Sequence, residues 1–168
     1  MKYLLDSNIY MDCYDRYYLH EYFPTFWQQF TPLLNKFAVA ADVMLDEHQH
    51  DEWFIEWFRK NYHGSILNHV EYVEGWSEVL EHVRTCGKYK PDALAGDKGW
   101  AHERIADPWL IAIAKHDGYT LVTSEQRDVN MHIKGHVAKA AKIPDVADAL
   151  GVQVIDRNRF FGIVKLSV

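Results

Sequence analysis

Carboxylates stand at four junctions of this chain: Asp6 directly after Tyr3-Leu4-Leu5, Asp46 and Glu47 in a helical stretch after a second apolar run, Asp107 at a helix start, and Glu125 just past Val122-Thr123. Each alone has an ordinary role, Asp6 in an Asx turn, Asp107 as a helix N-cap, the others as solvated surface. Jointly they have another. Acids drawn close repel strongly, and a hard divalent cation that prefers oxygen ligands is the usual remedy.

The acids converge only if the elements that carry them meet. Residues 3–5 read as a short buried strand, 37–41 as a second, 119–123 as the clearest, and 152–155 as the last. Between them, apolar residues recur at helical steps near 9–18, over 24–37, over 43–48 behind Asp42 as cap, over 52–61 and over 66–86. Residues 87–100, with Pro91, Gly96 and Gly99, read as a loop. Asp107-Pro108 reads as the N-cap and first residue of a helix that Gly118 ends. A polar, basic stretch over 124–142 leads to a short helix closed by Gly151, and Asp156 caps a terminal helix. Strands alternating with helices predict a parallel sheet covered on both faces, and neighbouring strands of such a sheet would deliver Asp6, Asp107 and Glu125 to one edge.

Composition narrows the function classes. With 48% hydrophobic and 25% charged residues in 168, the chain reads as one globular domain over 1–168. A net charge of −6 gives no basic footprint, so a polyanion would have to be met by local groups or through a metal. Cys13 and Cys86 have no CxxC partner, which fits free thiols in a reducing cytoplasm, and the N-terminal apolar run is too short for a signal peptide or a membrane span. No Gly-rich phosphate loop, GxSxG elbow or dinucleotide fingerprint is present. The 14% aromatic content, six tryptophans included, predicts a thick helical layer or a docking surface.

Leu4-Leu5-Asp6-Ser7-Asn8 resembles the opening of PIN-domain nucleases, Ala106-Asp107-Pro108-Trp109-Leu110-Ile111 their central acidic helix start, and Val122-Thr123-Ser124-Glu125 the strand that delivers their late acid, although that acid is usually Asp. Trp57 and Lys142-Ile143-Pro144-Asp145-Val146 are most similar to the bacterial PIN-like DUF4411 subfamily. The resemblance implies an α/β fold of three layers, α/β/α, with a central parallel sheet and helices on both faces. It implies Asp6, Asp107 and Glu125 as catalytic, metal-binding acids, with Glu47 as the second acid, or Asp46 if the helix is offset by one. Ser7, Asn8, Thr123 and Ser124 would support them, with Asp145 nearby. The cofactor would be Mg²⁺ or Mn²⁺, which activates a water for phosphodiester hydrolysis and neutralises phosphate oxygens. The implied activity is that of an endoribonuclease, the toxin of a toxin–antitoxin pair, with RNA as substrate and an antitoxin as partner; the aromatic helices from Trp27 to Trp76 are the surface expected to serve that partner or a homodimer.

Arg104, Arg127, Lys134, Lys139 and Lys142 flank these acids in sequence and would contact phosphates, and Tyr10, Tyr14, Tyr17 and Tyr18 are candidates to stack on unpaired bases. A rival metal site at His48-Gln49-His50 lacks an HExxH or cysteine partner, and its histidines point to different helix faces. The rival from another class is a non-catalytic PIN-like module that binds RNA or a protein.

Overall fold

The computed structural model describes residues 1–168. Five short parallel strands lie at its centre: β1 (Tyr3–Leu5), β2 (Ala38–Ala41), β3 (Ile66–Leu67), β4 (Thr120–Val122) and β5 (Val154–Ile155), in the order β3-β2-β1-β4-β5. Tyr3 pairs with Ala38 on one side and Thr120 on the other, and Val122 faces Ile155. The three inner strands are buried along their whole length, as both faces of a parallel sheet are covered.

Eight α-helices supply the cover: α1 (Ser7–Met11), α2 (Pro24–Phe37), α3 (Asp42–Asp46), α4 (Glu52–Asn61), α5 (Val73–Thr85), α6 (Ala106–Asp117), α7 (Ile143–Ala149) and α8 (Arg157–Val164). One group meets through rings. Tyr10 of α1 packs on Phe54 and Phe58 of α4, Trp27 of α2 on Trp53 and Trp57, and Phe30 on Phe161 of α8. The aromatic wealth of the sequence is therefore mostly core. In the other group α5 lies tight on α6: Trp76 stacks on Trp109, and a Cβ at Gly75 would come within 3.2 Å of the Ala112 methyl. The expected α/β/α layering is the architecture found. No helix is long and apolar enough to cross a membrane.

Local signals behave as their chemistry requires. Asp51 and Asp156 accept hydrogen bonds from Phe54 N–H and Arg159 N–H to cap α4 and α8, and Gly118 ends α6 at φ 73°, a left-handed turn that glycine adopts without Cβ strain. Four expectations need correction. Ile66–Leu67 is not helical but the edge strand β3, so that helix begins only at Val73, after a 3₁₀ turn. Residues Asp12–Tyr17 form a π-helix, an uncommon form often found at functional sites. Asp42 lies inside α3, and its Oδ1 accepts the His69 N–H. Finally, α6 starts at Ala106 with Ile105 as N-cap, so Asp107 and Pro108 are its second and third residues and Asp107 is free of capping.

Candidate functional site

The order β3-β2-β1-β4-β5 reverses direction between β1 and β4, and the crevice beyond the carboxyl ends of those strands is where open α/β sheets hold ligands. Asp6 leaves β1 into that crevice, 4% exposed. Thr123, just past β4, donates its hydroxyl to Asp6 Oδ2 at 2.7 Å, and Asn8 Nδ2 donates to the same oxygen and to Thr123 Oγ1. Asn8 Oδ1 in turn accepts the Ser124 N–H at 2.9 Å. These residues lock the turn after β1 to the turn after β4.

Three more acids share the site's field. Glu47, at the end of α3, accepts the Ala106 N–H at 3.4 Å, which places it at the start of α6 beside Asp107. Glu125 accepts the Ile143 N–H at 2.7 Å through Oε2 and so caps α7. Burial pushes the Asp6 carboxyl up to about 7, opposed by the Thr123 hydrogen bond and reinforced by the charges of Glu125 and Glu47. Asp107 is held well above the usual carboxylate range by burial and then by Asp6, Glu125 and Glu47, with the Trp100 indole opposing. Burial also raises Glu47 and Glu125; the Ala106 N–H opposes it at Glu47, and the Ile143 N–H and the Lys142 charge at Glu125. The sheet and α6 thus bring Asp6, Glu47, Asp107 and Glu125 within one another's electrostatic reach. No three His, Cys, Asp or Glu side chains stand in a ready-made coordination group.

The remaining candidates divide. Asp46 is exposed and turns to a separate groove with His69, Trp76, Trp109 and Arg104, so the acid that faces the cluster is Glu47. Ser7 is buried beside Glu47 with its Oγ hydrogen-bonded to nothing within 3.5 Å. Asp145 accepts the Asp128 N–H at 3.0 Å and pins the loop after Glu125. Arg127 is bound bidentately to Asp148 at 2.7 and 3.0 Å, while Lys134 is exposed on the same loop. Tyr10 and Tyr14 are core residues and Tyr18 stacks on Phe26, so of the four tyrosines proposed for base stacking only Tyr17, 51% exposed, offers its ring to solvent. His48 is fully buried against Tyr10, Tyr14 and Phe54, which keeps it from ligating a metal at the surface, and burial pushes its pKa down to about 3.

Asp12 is the residue that sequence reasoning missed. It is buried at the head of the π-helix and accepts from Ser124 Oγ at 2.6 Å, Arg157 Nη1 at 3.1 Å and Arg16 Nη1 at 3.1 Å. Its one local signal is the i, i+4 spacing to Arg16; its partnership with Arg157 spans 145 positions. Through Ser124 and Asn8 it reaches the Asp6 carboxylate.

Among solved structures, a chain from the crystal structure of VapBC2 from Rickettsia felis, bound to a DNA fragment from its promoter, is similar in fold: TM-score 0.50 at 15% identity, covering 84% of this chain and 100% of that one. No curated protein matches. The model of a family described as a domain of unknown function, DUF4411, matches residues 3–167, nearly the whole chain, and the protein belongs to that family.

Proposed function

We propose that this chain is a single PIN-like domain acting as a metal-dependent endoribonuclease in the cytoplasm. The observation that carries the reading is the placing of the acids: Asp6 bonded to Thr123 across the carboxyl ends of β1 and β4, Glu47 bonded to the start of α6 one residue before Asp107, and Glu125 two residues past Thr123. Carboxylates held together with raised proton affinity suit a cation that replaces the protons.

The donor set fits Mg²⁺ or Mn²⁺. It is all oxygen, and Mg²⁺ keeps several of its waters and takes only one or two carboxylates directly, so it does not need a closed protein cage. Asp6, Glu47, Asp107 and Glu125 are the residues that would hold it. When bound, the ion supplies a hydroxide-like water at neutral pH and neutralises phosphate oxygens. The chain's own groups do the rest. Thr123 and Asn8 fix one oxygen of Asp6 and leave the other unclaimed, and Ile143 N–H does the same for Glu125. Arg127, steadied by Asp148, and Lys134 are proposed as phosphate contacts, whereas Arg104 lies on the separate groove with Asp46. Ser124 and Asp145 hold the turn and the loop on which Glu125 sits.

The resemblance to PIN nucleases, together with a fold similar to a chain of VapBC2, supports a toxin silenced by an antitoxin partner, with a homodimer as a further assembly. A second reading has one observation in its favour. Glu125 already serves as the cap of α7, a sufficient structural reason for an acid there, as expected of a PIN-like module that binds RNA or protein without cutting.

Cleavage of single-stranded RNA with Mg²⁺ or Mn²⁺, compared between wild type, Asp6→Asn and Asp107→Asn, tests the choice. Loss in both variants beyond the roughly 10–100-fold typical of removing an outer-shell partner is expected. Equal cleavage by all three sinks the nuclease, and RNA binding without any cleavage favours the module.

A further inference from the structure

Two hollows continue outward from Glu125. The first, about 480 Å³, runs from Thr123 and Glu125 past Arg127 and Pro144 to Asp156 and Arg159. The second, about 290 Å³, lies beyond it, and Gln126 and Asp156 line both. Its other walls are Asp12, Tyr17, Ser124, Arg157 and Asn158.

Asp12 holds both Arg157 and Arg16, and Asp156 caps α8. Beside these charged groups stand neutral ones: the Tyr17 ring, with the Arg157 guanidinium 4.3 Å from its centroid on one side, and the amides of Gln126 and Asn158. Gln126 spends only its Nε2 on a weak bond to Ser124 O at 3.3 Å. An aromatic face held rigid, with amides that both donate and accept, is the chemistry that recognises a nucleobase. Duplex RNA hides its base faces, so only an unpaired base enters.

We propose that this hollow is a nucleobase subsite, which stacks an unpaired base of the RNA on Tyr17 and reads its edge with Gln126 and Asn158, next to the carboxylate cluster. The proposal rests on the nuclease reading above and adds that cutting is selective for the base near the cut.

The test has two arms. In the first, cleavage positions on a randomised single-stranded RNA are mapped by end sequencing for wild type, Tyr17→Ala, Tyr17→Phe and Asn158→Ala. Wild type and Tyr17→Phe keep a base preference, and Tyr17→Ala weakens cutting at the preferred base by roughly 5- to 150-fold, the range set by losing one base–aromatic stack. Asn158→Ala keeps cutting but flattens the preference. In the second arm, Asp6→Asn protein is titrated with AMP, GMP, CMP and UMP while the Tyr17 ring resonances are followed by NMR. One nucleotide shifts them more than the others, and Asn158→Ala removes the distinction. Cutting with the same base preference in every variant, and no Tyr17 shift, overturns the subsite alone. A Tyr17 shift in protein whose wild type never cuts upholds the subsite and overturns the nuclease reading.

Discussion

The Thr123 hydroxyl donates to Asp6 Oδ2 at 2.7 Å across the join of β4 and β1, and it is the contact that orients the most buried acid of the cluster. Thr123→Val removes it while keeping the shape, so Asp6 loses a donor in a buried place. Stability should fall by about 1–3 kcal/mol, and Mn²⁺ affinity by about 10–100-fold. Thr123→Ser should restore both. Urea unfolding and a Mn²⁺ titration read the two effects separately; a Val variant that binds Mn²⁺ as well as wild type would show that Thr123 does not orient a ligand.

Protons would compete with the proposed cation for the same acids, and the proton side of that competition has a definite sign. The folded Asp6 carboxyl titrates at about 7, above its ordinary value near 3.8, so the folded state holds a proton that the unfolded state releases. That contribution is complete below about pH 4 and is lost as pH rises through 7; Asp107 is shifted in the same direction. In metal-free buffer at pH 7.5, Asp6→Asn should therefore stabilise the protein by about 0.5–2 kcal/mol, and the gain should vanish near pH 4. Thermal melts across that range, with and without Mg²⁺, measure it.

His48 tilts the balance the other way. Its pKa is pushed down to about 3 by burial, so protons bind the unfolded state preferentially below about 6.5, and this part of the stability is lost as pH falls from there towards 3. His48→Phe should flatten the acid limb of the stability profile and leave Mn²⁺ affinity unchanged. A drop in Mn²⁺ affinity would instead mark His48 as a ligand.

The two arginines on Asp12 should differ sharply. Arg157 is 19% exposed and Arg16 66% exposed, and both meet a carboxylate that is 6% exposed. Arg157→Ala strips the buried partner and should cost towards the lower part of about 3–5 kcal/mol, since Arg16 remains. Arg16→Ala should cost about 0–1 kcal/mol. Chemical denaturation of the two variants checks the ranking, and equal costs would mean that Asp12 is solvated in solution.

Much of this was legible in the chain because it is local. An apolar triplet ending in Asp6, the Tyr119–Thr123 run and the helical stripe from Phe26 to Phe37 each announce their element through side-chain type alone. The acids were legible as a set for the same reason, each lying at an element's end. The failures are non-local. Two residues, Ile66 and Leu67, carry no periodicity and become a strand only because Ala40 and Ala41 offer them an edge. Asp107 looked like a cap because a neighbouring proline invites that role, but Glu47, 59 positions before Ala106, takes the Ala106 N–H instead. The tyrosines from 10 to 18 have one composition and two fates, decided by which of them α4 and α2 cover.

The strand order puts the site under a schedule of synthesis. β1 leaves the ribosome first, yet its partner β4 follows more than a hundred residues later, and Glu125 is not fixed until Ile143 has been made. A growing chain that has presented Asp6, Glu47 and even Asp107 therefore still lacks the neighbour that closes the crevice, because long-range parallel pairing is the last contact to form. If the proposed nuclease holds, nascent chains should be harmless to the messages and ribosomes beside them, and competence should arrive only with the final helices.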